Sequence, residues 1–113
     1  MLQRLHRDQI HLNVPACLAQ DGRVIGRIAD LSLGGFLLAG TGAVPDRGQT
    51  EMILLLPWPM NGISRVHVTV EQRWQERLAG GRWHAGYRIR SCPAQELVAL
   101  NRLSEGFSSS SAS

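Results

Sequence analysis

The chain has 113 residues, room for one domain large enough to bury a core without a metal or a disulfide. Its hydrophobic fraction of 43% excludes a disordered chain, and no apolar run approaches the ~20 residues that cross a bilayer. All 12 basic residues are Arg, and the net charge of +3 is scattered rather than gathered into a basic stripe, which argues against DNA or RNA as a partner.

Ile10, Leu12 and Val14 alternate with His11 and Asn13, the period of a half-buried strand running to about Leu18. Gln20-Asp21-Gly22-Arg23 supplies a hairpin turn, and a second strand is predicted over 23–29. Asp30-Leu31-Ser32-Leu33-Gly34-Gly35 follows, then a short apolar strand over 36–39 and a Gly-, Pro- and Asp-containing loop over 40–48. A fourth strand is predicted over 50–56, closed by Pro57-Trp58-Pro59 and the turn residues Asn61-Gly62.

In the fifth strand Val66, Val68 and Val70 face one way while His67, Thr69 and Glu71 face the other; it continues through Trp74 to a turn at Gly80-Gly81. The sixth alternates Trp83, Ala85, Tyr87 and Ile89 with His84, Gly86, Arg88 and Arg90. The period then changes. Pro93 suits the first position of a helix over 95–104, with Leu97, Leu100 and Leu103 as its apolar stripe and Gly106 as its stop. Six short strands, one terminal helix and no βαβ alternation predict a mainly β chain: a six-stranded antiparallel barrel with a C-terminal helix over one end.

The hexapeptide 30–35 carries the most chemistry. A carboxylate at Asp30 can accept the paired N–H donors of a guanine edge, and the Ser32 hydroxyl can donate or accept. Gly34 and Gly35 let the backbone approach a ligand closely, and successive N–H groups in such a turn form an anion-binding concavity. The same residues also suit a tight turn held by its own side-chain-to-backbone bonds.

Asp30, Ser32 and Gly35 match the D/N-x-S-x-x-G motif of the PilZ family, and they stand between the second and third strands, as in that family. The strand from Ile10 to Pro15, the Val-rich strand ending in Trp74, and Gly86-Tyr87-Arg88-Ile89 before the helix are also similar, so the chain resembles the family from about Gln9 to Leu103. The resemblance implies a PilZ-type barrel that binds cyclic di-GMP without catalysis and relays it to a protein partner in bacterial signalling, motility or biofilm formation. It also implies that Asp30, Ser32, Gly34 and Gly35 hold the dinucleotide on the barrel. The family's R-x-x-x-R element, whose arginines contact phosphates and guanine rings, precedes the first strand. Leu5 and Gln9 hold its two places here, and Arg4 and Arg7 are the arginines available. The expected organisation is a flexible arginine-bearing segment over 1–9, barrel and helix over 10–107, and a disordered Ser-rich tail over 108–113. The alternative is a PilZ-like adaptor that has lost dinucleotide binding and acts through protein contacts in pilus or motility function.

The remaining candidates favour structural roles. His6, His11, His67 and His84 show no metal-ligand spacing and read as solvated residues, so no metal or cofactor is expected. Ser32 lies outside any GxSxG elbow, and no nucleophile–base pair can be assembled, so an enzyme is not expected. Cys17 and Cys92 stand far apart without a CxxC pair, and the N-terminus lacks an apolar leader; both fit a reduced cytoplasmic protein. Cys92 beside a helix start could have its thiol acidified by the dipole, although a small helix-flanking residue is the plainer reading. Trp83 shares the core-facing side with Tyr87, whereas Trp58, between two prolines, is expected to be exposed and available to a partner.

Overall fold

The computed structural model describes residues 12–111. Six strands, β1 (Pro15–Leu18), β2 (Val24–Leu31), β3 (Gly35–Thr41), β4 (Gln49–Met60), β5 (Ile63–Arg77) and β6 (Arg82–Ser91), precede helix α1 (Leu97–Ser111). The strands close into a barrel in the order β1-β2-β3-β6-β5-β4, every neighbouring pair antiparallel. This is the expected six-stranded barrel with a C-terminal helix.

The alternating faces of the fifth and sixth strands are those expected. Val66, Val68 and Val70 on β5, and Trp83, Ala85 and Tyr87 on β6, are buried with Leu38 of β3 and Met52 and Leu54 of β4, the strands on either side of that pair. Leu100, Leu103 and Phe107 of α1 join that core with Leu31 and Met60, so the helix covers the barrel end formed by the β2–β3 and β4–β5 turns. Burying such side chains contributes roughly 1.5–3 kcal/mol each, which is why the helix docks by its Leu stripe rather than standing free.

Several boundaries differ from the sequence reading. The first strand is only Pro15–Leu18, and Ile25 of β2 bulges opposite its Ala16–Cys17 step; Val14 before it is buried, and its carbonyl accepts the Ile28 N–H at 2.9 Å. Ile10 and the arginines of 1–9 lie outside the described residues. β4 runs on through Pro57-Trp58-Pro59 to a tight turn in which Asn61 and Gly62 both have positive φ. Prolines are tolerated there because β1 covers only Met52–Leu54 of β4, and the β4–β5 register is interrupted between Leu55 and Met60.

The helix also departs from expectation at both ends. Pro93 precedes a single 3-10 turn, Ala94–Glu96, that leads into α1, and Leu97 is exposed rather than part of the buried stripe. Gly106 does not stop the helix, which continues to Ser111, so the first four residues of the expected disordered tail are helical in backbone. Its role is close packing: a Cβ at Gly106 would stand 2.9 Å from Leu12 Cδ1. No helix among the described residues is long and apolar enough to cross a membrane.

Candidate functional site

A bulge sets the orientation of the site. Ile28 pairs with Leu38, but Asp30 pairs with Leu37, so Ala29 is an extra residue in β2. In an unbroken strand Asp30 would share the inward face of Ile28, two residues before it. The bulge shifts the phase by one: Ile28 and Leu31 are buried, and Asp30 is exposed on the outside of the barrel. No periodicity in the sequence marks this shift.

Beyond Leu31 the chain turns at Ser32–Gly34 and re-enters the sheet at Gly35. The Ser32 N–H and hydroxyl both donate to the Gly35 carbonyl, at 2.9 and 3.3 Å, and the Gly34 carbonyl accepts the Ile89 N–H at 2.9 Å. From the helix, the Ser104 hydroxyl donates to the Leu31 carbonyl at 3.5 Å. Gly35 is packed so closely on β6 that a Cβ would run into the Tyr87 carbonyl, whereas one at Gly34 would meet open space. The turn is therefore anchored at Ser32 and Gly35 and open at Gly34. Asp30 Oδ1 accepts the Leu31 N–H at 3.0 Å, and the carboxylate's remaining acceptor sites face outward.

The structure thus brings Asp30, Ser32, Gly34 and Gly35 into one turn, while Arg4 and Arg7 lie outside the described residues. Ser32 makes the local bonds of a self-closed turn; Asp30 is only partly engaged by one. Beside the turn, on the same outer face, the cross-strand row from Asp30 passes through Leu37 and Gly86 to Trp74, which is 46% exposed and lies over Gly86. A second row joins Gly35 to Arg88 and Glu71, and the Glu71 carboxylate is taken by Arg90 at 3.3 Å. Behind the turn, Tyr87 stacks on Phe36 with ring centres 5.4 Å apart and accepts a hydrogen bond from the Gln72 amide at 3.1 Å. Clefts of about 840, 470 and 380 Å³ open elsewhere on the barrel, and none is lined by the four turn residues. The turn offers a surface with directed polar groups, not a pocket.

His67 is outward and half-exposed, as a strand histidine should be, but it is not merely solvated. Its backbone N–H donates to Glu96 Oε1 at 2.6 Å, and its ring Nδ1 lies 3.1 Å from Oε2 of the nearly buried carboxylate. Sequence reading missed this pairing because Glu96 is remote in sequence and stands at a helix start, where an acidic residue needs no further reason. Cys92 is close by, and burial, with the Glu96 charge adding to it, pushes its thiol up rather than down; the dipole does not produce a reactive thiolate. Among the described residues no group of three or more His, Cys, Asp or Glu is placed to hold a metal.

No family model matches the chain, and no curated protein matches it either. Among solved structures, that of the Bacillus subtilis inhibitor of motility (MotI/DgrA) is similar, with a TM-score of 0.55 and 13% sequence identity. The match covers 83% of this chain but 45% of that one, so the barrel and helix span less than half of the length of that neighbour. At this identity the likeness is one of fold: the chain is a six-stranded closed antiparallel barrel with a C-terminal helix, of PilZ-like architecture.

Proposed function

We propose that the protein is a non-catalytic receptor of PilZ type that binds cyclic di-GMP and passes the signal to a protein partner. The observation that carries this reading is the bulge at Ala29, which turns Asp30 out of the core and onto the face beside the Ser32–Gly35 turn. Asp30 accepts a guanine edge, Ser32 and Gly35 fix the turn, and Gly34 leaves room for the ligand's approach. Arg4 and Arg7 supply the phosphate contacts from the other side, in place of the family's R-x-x-x-R pair. Binding orders the surface that a partner reads, a population shift with no chemical step.

Calorimetric titration of the full chain with cyclic di-GMP tests this. Saturable binding is expected, weakened about ten- to a hundredfold by Asp30→Ala and again by Arg7→Ala. Unchanged affinity in both variants would remove the site. A wild-type chain giving neither heat nor thermal stabilisation would instead favour a ligand-independent adaptor. That second reading rests on Trp58, 56% exposed between Pro57 and Pro59 on the outer part of β4. The similarity to a motility inhibitor makes the motility machinery the first place to look for its partner.

A further inference from the structure

The β2–β3 pairing begins at Arg27–Ala39 and runs only toward the Ser32 turn. On the other side of that pair the strands part company. Residues 24–26 follow β1, while Gly40 and Thr41 stay with β6. A cleft of about 470 Å³ opens between the diverging strands, at the end of the barrel away from α1. Its cationic and imidazole residues are Arg27, Arg82 and His84, and no carboxylate lines it.

The spacing of these groups is specific. Arg27 and His84 are the two cross-strand neighbours of Ala39, so they stand two strand widths apart, about 10 Å, with only a methyl group between them. Arg82 is the next outward residue along β6, opposite Thr41. Its Nε donates to the Ala79 carbonyl at 3.1 Å, which holds the guanidinium stem and leaves its terminal nitrogens free for another acceptor. Glu76, the nearest carboxylate by register, stands beyond His84 on β5 and outside the cleft lining. Diverging sheet edges add backbone polar groups that the ladder no longer consumes, a setting in which anions bind.

We propose that this cleft is a second, independent binding site, for a phosphate-bearing anion held between Arg27 on one wall and Arg82 and His84 on the other. A planar carboxylate engages one guanidinium fork; a tetrahedral phosphate accepts donors from both walls at once. Asp30 lies three residues along β2, about 10 Å away, so the two sites are separable by mutation.

The probe is inorganic pyrophosphate, titrated into the ¹⁵N-labelled full chain at an ionic strength held constant with sodium chloride, with amide shifts followed by NMR. Saturable shifts are expected at residues 24–27 and 39–41. Affinity should fall at least about tenfold in Arg27→Gln and vanish in Ala39→Glu, which sets a carboxylate on the floor at an outward strand position. Asp30→Ala and Arg90→Gln should leave it unchanged, so loss of the dinucleotide reading would not touch this result. The dispersion of each variant's spectrum shows that it is folded. Shifts that never saturate, that chloride alone reproduces, or that persist undiminished in Arg27→Gln and Ala39→Glu would overturn the site.

Discussion

Gly35 and Tyr87 meet back to back, and each carries a testable consequence. A methyl group at Gly35 would collide with the Tyr87 carbonyl, a backbone atom held in the β3–β6 ladder that has little freedom to move aside. Gly35→Ala should therefore destabilise the barrel by about 1–3 kcal/mol in urea denaturation, whereas Gly34→Ala, facing open space, should cost much less. Equal effects at the two positions would refute the close-packing argument. Tyr87 is the only tyrosine in the chain. Burial holds its phenol above the ordinary 10.0, the Gln72 hydrogen bond lowers it in part, and the Asp46 charge raises it. The folded state then keeps a proton that the unfolded chain has released. This contribution to stability is complete below pH 10 and is lost as the pH rises through the folded value. Tyr87→Phe should flatten the fall in stability that sets in above about pH 10, with phenolate absorbance of the folded wild type appearing only as the pH rises through the raised value.

At the scale of elements, Glu96 is the tie between β5 and the start of α1. Glu96→Ala would leave the His67 N–H without its acceptor, so a loss of about 1–3 kcal/mol is expected. Glu96→Gln, which keeps an oxygen there but not the charge beside the imidazole, should cost less. Denaturation midpoints in the reverse order would show that the contact is incidental. This tie was illegible in the sequence, since nothing local pairs residue 67 with residue 96. The valines of β5 and the Trp83-Ala85-Tyr87 alternation were legible because each strand buries one face and the side-chain period is two. The hexapeptide's position between second and third strands could also be read. Its orientation could not, because one extra residue in β2 reverses the faces without altering composition. The course of β4 through two prolines was hidden for a related reason. Proline counts against a strand only where a partner needs the missing N–H, and beyond Leu54 β1 offers none.

For the molecule as a whole, the strand order places β1 between β2 and β4, so the earliest described strand is the one that closes the cylinder. It is also the shortest, touching β4 only through Ala16, Cys17 and Leu18, while β5 and β6 pair along most of their length. Hydrogen exchange should report this inequality as faster exchange at residues 16–18 and 52–54 than in the β5–β6 ladder. Uniform protection around the barrel would contradict it. The consequence reaches the proposed ligand. Arg7 and Arg4 lie eight and eleven residues before this closing strand in the sequence. A dinucleotide held as proposed, by them and by Asp30, would act as a rivet across the seam, and its binding would be read as slower breathing of the shortest stave in the barrel.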